Sequence, residues 1–213
     1  MNKRVLIFVG LVLIASLVIF SLSFSDGTTQ IDNKLLNGTI KGEVIKDNES
    51  SYVDDWKVDY NDTKNGVYYN FLMADSFNFT KEGFINLMDT EKIVEKDYNG
   101  TKWDIYYLNY HSSMSYDNQG FYFVAPGYIC FASGVNGDYF VAVSSGAVNV
   151  NNSMDSDLFK YYLEPLLQNI TLKDPSNPPK EYEILNSTKE DYDMVSSYVK
   201  QNGWETMKRS MVL

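Results

Sequence analysis

The sequence predicts an α+β protein, in which a small antiparallel sheet is flanked by helices and preceded by an N-terminal transmembrane helix. Three observations lead to this prediction. A charge-free run of twenty residues, 5–24, follows Lys3 and Arg4. From Gly66 onward, short apolar runs alternate with turn residues, which is typical of strands. An apolar stripe with helical spacing occupies residues 158–167.

The run 5–24 predicts a single-pass membrane anchor. A helix of twenty residues is about 30 Å long, which matches the hydrocarbon thickness of a bilayer. A cleaved signal peptide is the alternative, but this run is longer than a usual signal core, and Ser21 and Ser23 match an Ala-x-Ala cleavage site poorly. In both cases Lys3 and Arg4, the cations of the cytoplasmic tip formed by residues 1–4, stay in the cytoplasm. The chain beyond residue 25 then faces outward.

Composition restricts the classes of function. Hydrophobic residues make up 44% and aromatic residues 15% of the chain, which is typical of a folded protein. The net charge of −10 repels phosphates and excludes nucleic acid as a partner. Cys130 is the only cysteine, so an internal disulfide is impossible and we expect a buried core thiol.

Glycosylation motifs support export. Asn-x-Ser/Thr triplets occur at eight positions: Asn37, Asn48, Asn61, Asn78, Asn99, Asn151, Asn169 and Asn186. Because a glycan is bulky and hydrophilic, we expect used acceptors to lie on surface loops.

The exported part divides into three predicted regions. Residues 25–65 are polar, and their apolar positions lack clear periodicity. We therefore expect a hydrated stalk. Residues 66–174 form the predicted α+β domain, and residues 175–213 form a proline-containing linker with a C-terminal helix.

The first half of the predicted domain contains a strand, a short helix and a hairpin. Residues 67–74 are rich in Tyr, Phe and Leu, which favours a strand. Helical spacing begins at Thr80. The Asn-Gly pair at 99–100 predicts a tight turn between strands at 93–96 and 102–110.

The second half contains a more apolar hairpin and a helix. Strands at 128–133 and 139–145 flank a five-residue connection with two glycines. Both strands are apolar at nearly every position, so we expect them to be central and covered on both faces. Asp155 or Ser156 can cap the following helix, Pro165 interrupts it, and residues 170–172 suggest a short final strand.

The C-terminal region predicts one more helix. Prolines within 174–179 favour an extended, stiff linker. Ser187 and Glu190 form a possible capping box, and the pair 202–203, Asn-Gly, ends the helix. This helix has too little apolar surface to be stable alone, so we expect it to dock on the domain or on a partner.

Motifs for common enzymes, cofactors and metal sites are lacking, which favours a non-enzymatic role. His111 is the only histidine, so a histidine-rich metal site is excluded. Two carboxylates suffice for glycoside hydrolysis, and the candidate acid is Asp104, with Asp138 or Asp117 as its partner. Ordinary solvated charges are the alternative interpretation.

Aromatic residues are the remaining unusual feature, because rings bordered by polar groups can stack on sugars or contact proteins. The candidate ligand-binding residues are Trp103, Tyr106 and Tyr110, together with Asp104 on the same predicted strand. Packing of these rings in the core is the alternative.

The stretch from Tyr128 to Leu172, two hairpin strands leading into a helix that ends Leu-Leu-Gln-Asn-Ile-Thr-Leu, resembles uncharacterised single-anchor, sequon-rich cell-surface proteins of methanogenic archaea. The resemblance covers under a quarter of the chain and carries no known catalytic residue. It implies a small antiparallel sheet flanked by helices on an acidic, glycosylated cell surface.

Together these observations predict a membrane-anchored extracytoplasmic binding or structural module that contacts a cell-wall glycan or a surface protein. Two alternatives stay open. One is a glycan-directed hydrolase that uses acidic residues. The other is an accessory subunit of a membrane complex that docks through its C-terminal helix.

Overall fold

The computed structural model describes residues 27–47, 55–87, 90–109, 113–114, 121–122 and 126–211. The predicted cytoplasmic tip and anchor, the sequon at Asn48 and the candidate residue Tyr110 lie outside this part of the chain. Every helix in the described part of the chain is too short or too polar to span a bilayer.

Within the described residues, seven antiparallel strands form the main sheet. These are β3 (Ile45–Asp47), β4 (Lys57–Asp62), β5 (Val67–Ala74), β6 (Glu91–Tyr98), β7 (Thr101–Leu108), β10 (Gly127–Ser133) and β11 (Asp138–Ser145). Their order across the sheet is β3-β4-β5-β11-β10-β7-β6. The α+β class and the antiparallel pairing are confirmed, although the sheet is larger than the sequence suggested.

The β10–β11 hairpin lies at the centre of this sheet, as predicted. Cys130 pairs with Val141 and Phe131 with Phe140, and nearly every residue of both strands is buried. The Cys130 side chain is fully buried, which raises the pKa of its thiol. The apolar residues at successive positions require cover on both faces of the sheet.

The β6–β7 hairpin is also confirmed. Asn99 and Gly100 have φ angles of 55° and 82°, and two successive positive φ values are typical of the type I′ turn that Asn-Gly favours. Between β7 and β10, the connection contains the short pair β8 (Ser113–Met114) and β9 (Phe121–Tyr122).

One face of the sheet is covered by helix α1 (Asn78–Leu87). Phe84 of this helix stacks on Phe140 at 5.8 Å between ring centroids, and Phe77 lies 6.5 Å from Phe131. Aromatic pairs at such distances add a specific attraction to the burial of their area.

The opposite face is covered by a second, three-stranded sheet and a helix. This sheet contains β1 (Thr28–Asp32), β2 (Leu36–Lys41) and β12 (Thr171–Leu172), in the order β1-β2-β12. The helical segment consists of a π-helical turn, Phe159–Leu163, followed by α2 (Glu164–Asn169).

The prediction of a polar stalk at 25–65 is therefore wrong over the described residues. They form β1 to β4, and the side chains of Leu35, Leu36 and Ile40 have no exposed area. Most of the apolar residues described in this stretch point into the core, with Ile45 as the exposed exception, so their scarcity reflects short strands rather than a hydrated spacer.

The predicted helix after the central hairpin begins as expected. The Ser156 hydroxyl accepts a hydrogen bond from the Phe159 N–H at 3.2 Å, so Ser156 is the residue that caps it. Pro165 does not stop the helix, because the π-helical turn precedes it. A wider turn moves the carbonyl that the proline ring would otherwise contact.

Three C-terminal helices pack beside α1. They are α3 (Glu181–Ile184), α4 (Lys189–Asn202) and α5 (Trp204–Met211). The Phe79 ring lies 5.3 Å from the Tyr192 ring and 5.1 Å from the Trp204 ring. The expected docking of the C-terminal helix on the domain is confirmed, whereas α5 was not predicted and the cap of α4 is Thr188 rather than Ser187.

Glu181 joins these helices to the domain. Its carboxylate accepts hydrogen bonds from the Thr80 N–H at 2.6 Å and from the Tyr192 hydroxyl at 2.8 Å, and its side chain is buried. The Thr80 N–H belongs to the first turn of α1, where backbone donors lack partners within the helix. Glu181 thus caps α1 from a distant part of the sequence.

We predict that Glu181→Ala lowers the free energy of unfolding by about 2–3 kcal/mol, because the substitution leaves the buried Thr80 N–H and the partly buried Tyr192 hydroxyl without an acceptor. Denaturant unfolding of the purified chain measures this loss. The control is Glu190→Ala on the exposed surface of α4, which should change stability by no more than about 0.5 kcal/mol. Equal effects of the two substitutions would contradict the assigned role of Glu181.

Candidate functional site: a groove between two hairpins

A groove opens where the β6–β7 hairpin diverges from the β10–β11 hairpin. Pairing between β7 and β10 runs from Leu108 and Gly127 to Asp104 and Phe131 and stops there, although both strands continue. On the side of β7 that faces β10, Thr101 and Lys102 therefore border an open space instead of a paired strand.

The groove has a volume of about 930 Å³, within the range of small-molecule and cofactor sites. Its lining mixes two phenylalanine rings with charged and polar groups: Phe77, Asn78, Lys81, Glu95, Asn99, Gly100, Thr101, Lys102, Asp104, Phe131, Ala132, Ser133, Gly134, Val135, Asp138, Ile170, Thr171, Leu172 and Asp174. Both layers of the fold contribute, because Lys81 belongs to α1 and Thr171 to β12.

Asp174 fixes one wall of the groove. Its carboxylate accepts a hydrogen bond from the Val135 N–H at 2.9 Å, and its carbonyl accepts one from the Asn136 side chain at 2.7 Å. Its own N–H donates to the Tyr139 hydroxyl at 2.7 Å, and burial raises the pKa of Tyr139 to about 12. The proline-containing segment is thus held against the β10–β11 turn.

Asp104 lies in the groove between two lysines. Its carboxylate accepts hydrogen bonds from Lys81 and, at 2.6 Å, from Lys92. Burial opposes ionisation of this carboxyl, but the two ammonium groups outweigh burial and lower the pKa of Asp104 below its ordinary value. A carboxyl that stays ionised at neutral pH is a poor general acid.

Trp103 and Tyr106, the other described candidates for ligand binding, are buried. Trp103 is 1% exposed and Tyr106 is 6% exposed, so neither ring offers a face on which a sugar could stack. Both belong to the hydrophobic core, and the alternative of core packing applies to them.

Of the two proposed partners of Asp104, Asp138 lines the groove. Its carboxylate accepts a hydrogen bond from the Phe77 N–H at 3.2 Å. Asp117 lies outside the described residues.

Lys81, Lys102 and Asp174 were not singled out from the sequence. No local pattern marks them, because they come from a helix, a strand end and a linker that only the fold brings together. The one available signal was the pair of hairpin turns, since adjacent hairpins that diverge leave space between them.

The described sequons are mostly accessible. Six acceptors are exposed, namely Asn37, Asn78, Asn99, Asn151, Asn169 and Asn186, and Asn61 is half-buried. Four acceptors lie within regular elements rather than loops: Asn37 and Asn61 in β2 and β4, Asn78 at the start of α1 and Asn169 at the end of α2. A strand residue can be accessible when its side chain points outward.

Among the described residues, no group of three or more His, Cys, Asp or Glu side chains is arranged to hold a metal ion. Comparisons with protein-family models, with curated proteins and with solved structures find no match to this chain.

We predict that Asp104→Asn lowers the free energy of unfolding by about 1–2 kcal/mol, because Lys81 and Lys92 lose their shared partner. Since the pKa of Asp104 is lowered on folding, its contribution is complete above the unfolded pKa of about 3.9 and disappears as the pH falls through the folded value. Unfolding curves should therefore show a constant difference from pH 8 to about 5 and a smaller one below about pH 4.

The control for this prediction is Asp155→Asn, which removes an exposed ion pair with Lys160 and should cost less than about 1 kcal/mol. A stability difference for Asp104→Asn that grows toward low pH would contradict the stabilising contacts of Asp104 with Lys81 and Lys92.

We predict that Trp103→Ala lowers the free energy of unfolding by about 3–5 kcal/mol, as expected for loss of a large buried ring. Tyr68→Ala, at an exposed aromatic position of the same sheet, should cost less than about 1 kcal/mol. Thermal or chemical unfolding measures both. Unchanged stability of Trp103→Ala would show that the ring is not a core residue.

Proposed function

We propose that this chain is a membrane-anchored extracytoplasmic binding module, and that the groove between its two hairpins is the ligand site. The strongest support is the position of the groove relative to the start of the described chain. The described chain starts at one end of the main sheet, and the groove opens at the other end.

Strand registers define the two ends. Thr28, next to the first described residue, pairs with Lys41, whose carbonyl accepts a hydrogen bond from the Tyr69 hydroxyl. These residues lie near the start of β5, whereas Asp138, which lines the groove, pairs with Ala74 at the end of β5. At about 3.4 Å per residue, β5 separates the two ends by roughly 24 Å.

The polarity of the groove favours a neutral glycan as its ligand. Its acids and lysines partly neutralise each other, as the contact between Lys81 and Asp104 shows, so a strongly charged ligand gains little. Hydroxyl groups of a sugar can both donate to carboxylates and accept from ammonium and backbone N–H groups. Phe77 and Phe131 add apolar contact area.

Several other features support a cell-surface location. The charge-free run 5–24 after two cations predicts outward orientation. Six exposed sequons provide acceptors that a glycosylating enzyme could reach. The resemblance to surface proteins of methanogenic archaea predicts the same location.

The two alternative functions are less well supported. For a hydrolase, Asp104 would have to release its lysine partners before it could act as an acid. For an accessory subunit, α4 does present Met194 and Tyr198, which are exposed and four residues apart on one helix face. The C-terminal helices nevertheless already pack on α1, so their removal would damage the domain as well as any partner contact.

We predict that Lys102→Ala weakens binding to cell-wall polysaccharide about tenfold, because a charged donor at the groove contributes roughly 1.5 kcal/mol. Lys64→Ala, an exposed lysine near the other end of the sheet, is the matched control and should bind like the unaltered chain. Pulldown with wall extract, before and after protease or periodate treatment, measures the binding.

Loss of binding after periodate alone is the expected result and identifies a glycan ligand. Loss after protease alone would instead identify a protein ligand. Equal binding by Lys102→Ala and the control would contradict the groove as the site.

A further inference from the structure

The end of the domain opposite the groove has a short connection to the predicted anchor. Only Ser25, Asp26 and Gly27 separate Phe24, the last residue of the apolar run, from Thr28, the first residue of β1. A fully extended chain spans at most about 3.6 Å per residue, so this connection reaches roughly 14 Å. Given the anchor in the proposed function, this end of the domain lies at the height of the lipid headgroups.

The surface at this end carries exposed apolar and aromatic side chains. Ile45 is 65% exposed and Tyr68 is 49% exposed. Ile45 pairs with Asn61, and Asn61 pairs with Tyr68, so the three residues form one row across β3, β4 and β5. Directly opposite residues of an antiparallel sheet share a face, so Ile45 and Tyr68 point to the same side.

A second aromatic side chain lies at the same end, on the π-helical turn Phe159–Leu163 that covers the opposite face of the main sheet. Tyr161 is 52% exposed, and the Lys41 ammonium lies 5.1 Å from its ring centroid. Because Lys41 pairs with Thr28, this pair adjoins the connection to the anchor. Tyrosine and lysine are the residues that favour the membrane–water interface, where a ring can enter the headgroup layer while the charge stays hydrated.

We infer that the domain does not stand away from the membrane but rests on it, with Ile45, Tyr68 and Tyr161 in the headgroup layer of the bilayer that holds its own anchor. This contact fixes the orientation of the domain and points the groove away from the membrane. The anchor supplies a high local concentration of the surface, so weak contacts by a few side chains suffice.

The contact has a consequence for glycosylation. Asn61 lies between Ile45 and Tyr68 in the row that faces the bilayer. A glycan there would hold the domain away from the lipid. Asn61 should therefore stay unmodified, while the six exposed acceptors are available.

The test uses the full chain reconstituted in vesicles of phosphatidylcholine, a zwitterionic lipid, so that net repulsion of the acidic chain does not oppose the contact. Single cysteines replace Tyr68, Tyr161 or Val135, and each carries an environment-sensitive fluorophore. Val135 lines the groove and is 88% exposed, so it is the matched control at the far end. The native Cys130 is fully buried, and the unaltered chain shows whether it takes up any label.

Headgroup-attached nitroxide lipid should quench the label at position 68 or 161 several-fold more strongly than the label at position 135. Equal quenching at the two ends, in vesicles that carry the chain through a flotation gradient, would overturn the membrane contact and leave the anchor intact. Failure to float would instead overturn the anchor, and the contact with it. Glycopeptide mass spectrometry that finds Asn61 occupied would also overturn the contact.

Discussion

The fold depends on a central hairpin that must be covered on both faces. Strands β10 and β11 direct apolar side chains to both faces of the main sheet. The chain has a single cysteine, so no internal disulfide can supplement the core. The stability of a domain of this size then depends mainly on the area that its core buries. The two layers on either side of the main sheet meet this requirement.

The two layers that cover the hairpin come from distant parts of the sequence. One face receives α1 and the C-terminal helices, linked through Glu181. The other receives β1, β2 and β12 with the π-helical turn, where Phe159 packs against Tyr128 at 5.5 Å. Because β1 belongs to this second layer and begins at Thr28, only three residues separate the apolar run 5–24 from the first strand. The same arrangement leaves the groove at the far end, where the two hairpins diverge.

The sequence predicted what local patterns determine and missed what only packing determines. The Asn-Gly turn and the apolar hairpin depend on a few neighbouring residues, and the sequence predicts both. For the helix cap it offers two candidates, Asp155 and Ser156, of which Ser156 is the cap. Leu35, Leu36 and Ile40 are too few to produce a period, so their burial depends on a sheet formed by distant residues. Trp103 was a candidate for a binding surface, with core packing as the alternative, and the fold decides for the core because its face of β7 is covered by the second layer. The groove could not be predicted, since its lining comes from separate segments.

We propose that the folded domain faces outward, with its groove at the accessible end. Labelling of intact cells that produce Val135→Cys with a membrane-impermeant thiol reagent tests it most directly, with the unaltered chain, whose one thiol is buried, as the reference. We expect labelling of the variant before the cells are opened and no labelling of the unaltered chain. Labelling of the variant only after permeabilisation would show that the domain lies on the cytoplasmic side and would contradict the account.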